Sequence, residues 1–203
     1  MLFLPWILCT EAKGQIIPDK SRDLGTLTIP PADTAALMQQ LFRAIDLSET
    51  EPDSALILYG SLLQQSKQAG FTRGIVNALS YTSKIYADKG LYHKGLFLLN
   101  EAAWYSNQSE AGKRELFNVY NNIGIIYNYQ SDYYQAAQYY YMAARMAEKY
   151  DSTRVAQIYN NLAGVLFHLG LETQPLYYLE KARQLAIQTR QRTTLTKVLL
   201  NMG

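Results

Sequence analysis

Residues 120–144 read YNNIGIIYNYQSDYYQAAQYYYMAA, and the spacing of small and ring-bearing side chains within them decides the fold. Tyr120, Gly124 and Tyr127 recur at three- and four-residue intervals, which places them on one face of a helix; Tyr133, Ala136, Tyr140 and Ala143 do the same for a second helix. Ser131 and Asp132 break the apolar run between the two. The stretch predicts a helical hairpin, with Gly124 and Ala136 small because two helices must approach closely there.

The same pattern returns on both sides. Downstream it uses Ala163, Leu166, Gly170, Pro175, Leu179 and Ala182, and upstream Ser83, Tyr86, Gly90, Tyr92, Gly95, Leu99 and Ala102. A fainter copy has Phe42 and Arg43 on its first helix and Ala55, Tyr59 and Leu62 on its second. The matched residues Ala55, Gly95, Ala136 and Pro175 are 40, 41 and 39 residues apart. A fixed period of this size marks stacked repeats. Caps and periodicity predict helices over 33–48, 52–69, 72–88, 92–107, 113–129, 133–149, 152–169 and 172–189, with a last one starting near Gln191.

These units resemble the tetratricopeptide repeat family, in which a small residue, an aromatic, an alanine, a bulky residue and a second alanine follow in fixed order. Gly124, Tyr127, Ala136, Tyr140 and Ala143 fit that order throughout. The resemblance covers residues 33–203 and implies an all-α, right-handed solenoid of stacked antiparallel helix pairs: four pairs and the first helix of a fifth. Arg43 and Ser83 depart from the small residue, Pro175 departs from the alanine, and the period exceeds the family's usual length of about 34. Asn201-Met202-Gly203 aligns with Asn122-Ile123-Gly124, so the chain is expected to be a fragment of a longer protein. The apolar face carrying Leu199, Leu200 and Met202 is expected to pack on a continuation or to self-associate.

Composition supports a folded chain without a strong field. Of 203 residues 48% are hydrophobic and 18% charged, too few charges for an intrinsically disordered chain. Nineteen basic against 17 acidic residues leave +2, which offers nucleic acid no overall attraction. Most of the 17 tyrosines read as packing residues at helix contacts. Met1 to Cys9 is apolar, and Ala12-Lys13-Gly14 offers small residues where a signal peptidase reads, so residues 1–14 resemble a short secretory signal without a preceding basic residue. Residues 15–32, with Pro18, Gly25, Pro30 and Pro31, form a lead segment. On this reading the chain is exported, to the periplasm or cell envelope; if the apolar run is not a signal, it is cytoplasmic.

Catalytic chemistry finds little support. His93 and His168 are 75 residues apart with no cysteine or carboxylate at ligand spacing, so no metal or other cofactor is expected. Ser and Asp are plentiful but scattered, and no nucleophile stands out. The resemblance instead implies recognition on the concave side of the first helices. The family's inward positions fall on Asn77, Ser80, Lys84, Ala87 and Asp88; on Asn118, Asn121, Ile125, Asn128 and Tyr129; and on Gln157, Asn160, Gly164, Phe167 and His168. Asn77, Asn118, Asn121, Gln157 and Asn160 are expected to meet the backbone of an extended peptide, with Tyr129, Phe167 and His168 beside them. Asn122, Asn161 and Asn201 are expected to bond between adjacent helices. The basic cluster with which some members grip a terminal carboxylate is missing at its usual positions, which predicts a neutral partner and weak dependence on salt. The repeats also resemble the sensor regions of exported bacterial, Bacteroidetes-like signalling proteins, which implies output domains beyond Gly203 and membrane attachment only through them. A nutrient-binding or assembly lipoprotein with such repeat helices and, further off, an enzyme are the alternatives.

Overall fold

The computed structural model describes residues 31–203, with side chains from Thr34 onward. The signal and most of the lead segment lie outside the described residues. Ten α-helices and one 3-10 turn follow in order among them: α1 (Pro31–Leu47), α2 (Pro52–Gln68), α3 (Thr72–Asp88), α4 (Tyr92–Asn107), α5 (Glu110–Lys113), α6 (Leu116–Tyr129), α7 (Tyr133–Tyr150), the 3-10 turn (Ser152–Arg154), α8 (Val155–His168), α9 (Thr173–Gln188) and α10 (Arg192–Met202). No strand is present among the described residues, and no helix of theirs is long and apolar enough to cross a membrane.

Helices pack as hairpins α1/α2, α3/α4, α6/α7 and α8/α9, and each second helix also meets the first helix of the next unit. The first helices α1, α3, α6, α8 and α10 touch one another in turn, forming a continuous wall. This is the expected all-α solenoid of stacked pairs. Repetition at the period is visible in the core. Tyr59, Leu99, Tyr140 and Leu179 occupy one repeat position and are all buried, as are Leu62, Ala102, Ala143 and Ala182 three residues further on. Each leucine buried there contributes roughly 1.5–3 kcal/mol.

Close approach explains the small residues. A side chain at Gly124 would begin 2.8 Å from the ring of Tyr140 on α7. At Gly95 it would meet Ile126 of the next unit at 2.8 Å and the Ser83 carbonyl at 3.3 Å. Ser83 therefore trades volume with Gly95: where the first helix has serine in place of glycine, the second has glycine in place of alanine. In α1 the buried small residue is Ala44, one place after Arg43, which is exposed. That apparent departure is a shift of one residue in register: Ala44 and Ala55 are 11 residues apart, where Gly124 and Ala136 are 12. Pro175 is the third residue of α9, in the first turn. Ala55, Gly95 and Ala136 donate their N–H groups to the carbonyls of Glu51, Leu91 and Asp132 at that point; a proline forgoes this bond without breaking the helix.

One turn is reused between helices. At the end of α3, Gly90 donates to Ala87 and Leu91 to Tyr86; after α6, Ser131 donates to Asn128 and Asp132 to Tyr127; after α8, Gly170 donates to Phe167 and Leu171 to Leu166. This is the paired closure of a helix through one left-handed residue. Gly70, Gly90 and Gly170 take that role with φ of 62°, 75° and 75°, while Ser131 (60°) and Arg190 (56°) take it without glycine.

Two predicted first helices begin later than expected. The segment before α6 folds into the short α5, whose Ser109 hydroxyl accepts from the Gly112 N–H. Gly112 lies so near α4 that a Cβ would stand 2.6 Å from the Ser106 carbonyl oxygen, which fixes the chain there before α6 starts at Leu116. Before α8, the Asp151 carboxylate accepts from the Thr153 N–H and winds residues 152–154 into the tighter 3-10 turn.

Candidate functional site

A cavity of about 380 Å³ runs along the first helices. Met38, Phe42 and Ile45 of α1 line one end, Asn77, Tyr81 and Lys84 of α3 and Asn118, Asn121 and Ile125 of α6 the middle, and Gln157 of α8 the other end. Phe42 is largely exposed there.

Behind this surface the asparagines form a ladder at the repeat period. Asn118 Nδ2 donates to Asn77 Oδ1 (3.3 Å), Asn161 Nδ2 to Asn121 Oδ1 (3.1 Å) and Asn201 Nδ2 to Asn160 Oδ1 (3.0 Å). Asn122 Nδ2 reaches the Ser80 carbonyl at 3.2 Å. Asn122, Asn161 and Asn201 thus bridge adjacent first helices as expected of them. Asn77, Asn121 and Asn160 take part in the same ladder and are buried; their side-chain oxygens are engaged by the neighbouring unit. Asn118 is half-buried and Gln157 exposed, so these two amides present themselves to the cavity.

The aromatic candidates lie elsewhere. Tyr129 and Phe167 are exposed near the C-terminal ends of α6 and α8, outside the cavity lining. Tyr129 donates its hydroxyl to Asp88 at 3.1 Å, and Asp88 also holds Lys84 at 2.8 Å. His168 stacks on Tyr133 with ring centres 4.4 Å apart. His93 borders a separate shallow surface with Tyr86, Lys94, Phe97 and Leu98. No group of three His, Cys, Asp or Glu placed to hold a metal occurs among the described residues.

The expectation of a groove without a charge cluster needs correction. Arg73, Arg114, Glu115, Asp151 and Arg154 all reach the cavity. Arg73 Nε lies 3.1 Å from Glu115 Oε1, and Asn77 Nδ2 donates to Glu115 Oε2 at 3.3 Å. Arg154 Nε stands 3.8 Å from Asp151. No carboxylate lies within ion-pair distance of the exposed Arg114 among the described residues. Burial pushes the Glu115 carboxyl above the usual carboxylate range, with the Arg73 charge and the Asn77 hydrogen bond opposing it. Burial likewise raises Tyr81, whose hydroxyl feels the positive charge of Arg154. The signal for this cluster was in the sequence: Arg73, Arg114 and Arg154 are 41 and 40 residues apart, one per unit. They precede the positions the family uses for recognition, so a reading carried over from those positions passes them by.

Residues 115–188 match the tetratricopeptide repeat family. The solved structure of BtubC (BKLC) from P. vanneervenii is similar in fold, with a TM-score of 0.57 and 18% identity over 86% of this chain. The likeness spans 65% of that chain's own length. No curated protein matches.

Proposed function

We propose that the wall of first helices binds an extended segment of another protein, a reading supported by the match of residues 115–188 to tetratricopeptide repeats, whose general role is protein–protein interaction. The carrying observation is the cavity, which crosses four units and takes lining from α1, α3, α6 and α8 alike. A ligand that touches successive units is long and thin rather than compact. Asn118 and Gln157 supply donors and acceptors for its backbone, while Met38, Phe42 and Ile45 receive apolar side chains. The buried amides keep the helices in register so that these side chains stay aligned. Recognition of this kind suits the sensor or scaffold part of an exported signalling protein, a role supported by the resemblance of the repeats.

A site-specific crosslinker distinguishes this face from the others. A photoreactive phenylalanine analogue at Gln157 should capture a protein from the native cell envelope that the same group at Ile57, exposed on α2 outside the cavity lining, does not. Capture from Ile57 and not from Gln157 would overturn the assignment.

A further inference from the structure

The cavity is not electrically neutral. Its lining holds four basic side chains, Arg73, Lys84, Arg114 and Arg154, against two acidic ones, Glu115 and Asp151. Glu115 is turned inward to Arg73 and Asn77, and Asp151 caps the turn before α8 while facing Arg154. Lys84 is held by Asp88 at the rim. Arg114 stands between Arg73 and Arg154 in the repeat order, exposed and without an ion-pair partner among the described residues. Apolar lining is concentrated at the α1 end, where Phe42 is 58% exposed with Met38 and Ile45 half-buried beside it. The two ends of the cavity therefore ask for different chemistry.

We infer that the occupant is an acidic protein segment, with an Asp or Glu carboxylate seated on Arg114 between Arg73 and Arg154 and an apolar side chain on Met38, Phe42 and Ile45. This rests on the proposed recognition by the first helices and adds to it the charge of the partner. A guanidinium can meet a carboxylate through two parallel N–H donors, which fixes its orientation along the groove. An unpaired basic group at the middle of a binding surface also repels a basic segment, so the arrangement sets specificity as well as attraction.

The test uses a random peptide library displayed on phage and selected on the whole chain, on Arg114→Glu and on Asn118→Trp. Arg114 is exposed and unpaired, so its replacement leaves the fold intact, which circular dichroism verifies. Peptides selected on the unchanged chain should be enriched in Asp and Glu, bind Arg114→Glu about tenfold or more weakly, and weaken as salt rises. Asn118→Trp fills the cavity and should abolish their binding. If the selected peptides depend on Asn118 but carry no acidic excess, or bind Arg114→Glu equally well, the charge assignment is wrong and the groove reading stands. If all selected peptides bind Asn118→Trp unchanged, the groove reading falls and the charge assignment with it.

Discussion

Gly124→Ala isolates the cost of the close approach inside the third unit. Both Gly124 and Gly164 are helix-interior glycines, on α6 and α8. Alanine at either place gains about 0.8–1.0 kcal/mol of helix propensity. At Gly164 the new Cβ meets nothing within 4 Å, so that gain should appear undiminished. At Gly124 the Cβ would lie 2.8 Å from Cδ1 and Cε1 and 3.2 Å from Cγ of Tyr140. Carbon atoms in contact rest about 3.5–4.0 Å apart, so the ring must retreat by most of an ångström. It has little room, because Tyr140 is fully buried with Ala136, Ala137, Leu162, Val165 and Leu166 around it. Overpacking of this kind costs about 1–3 kcal/mol. Propensity is common to both variants, so the stability gap between Gly124→Ala and Gly164→Ala should equal that steric cost. In thermal unfolding it corresponds to roughly 2–4 °C per kcal/mol for a chain of this size. Tyr140→Leu in the Gly124→Ala background should narrow the gap, whereas Tyr140→Phe, which keeps the ring, should not. A Gly124→Ala protein melting at or above Gly164→Ala would refute the contact.

Ser131→Gly should stabilise the chain by about 0.5–1 kcal/mol in urea unfolding, since serine holds a φ of 60° that glycine adopts without strain. Asn121→Ala should cost about 1–3 kcal/mol by leaving Asn161 without its acceptor, and adding Asn161→Ala should cost less than the sum of the two single changes. Ala136→Leu should lose about 1–3 kcal/mol through overpacking, read from the denaturant midpoint. Glu115 keeps its proton to a higher pH in the folded chain than in the unfolded one, so its contribution is fully present below the unfolded value of about 4.3 and is lost as pH rises through the folded one. Melting temperatures of the unchanged chain relative to Glu115→Gln should therefore decline as pH rises from the ordinary carboxylate range, and a difference independent of pH would contradict the burial.

Helices with regular apolar spacing and a glycine turn before them were legible from the sequence almost to the residue. The predicted 72–88 and 92–107 coincide with α3 and α4 because glycine, at 70 and 90, marks the left-handed turn before each. α5 was not legible: Glu-Ala-Gly-Lys has no apolar period, and its one turn exists because Gly112 is drawn against the Ser106 backbone of another helix. The site divides in the same way. Amides at successive first helices could be counted from the sequence, but whether an asparagine faces the cavity or the neighbouring helix depends on a fraction of a turn of helix rotation. Asn118 and Asn121, three residues apart, both line the cavity and both bond to an asparagine of a neighbouring unit, but Asn121 is the more deeply buried. The arginine row depended on following the period itself beyond the family's recognised positions.

The asparagine ladder also constrains how such a chain can change length over generations. Each rung joins an oxygen to an amide 40 or 41 residues later, which is one whole unit. A duplication or deletion of that length resumes in phase, so an acceptor at the place of Asn121 and Asn160 again meets a donor at the place of Asn161 and Asn201. A cut of any other length strands a desolvated amide at the junction and misaligns every rung it touches. Growth and loss by complete cassettes are thereby favoured over gradual insertion, and the wall of first helices can be lengthened or shortened while its spacing is preserved.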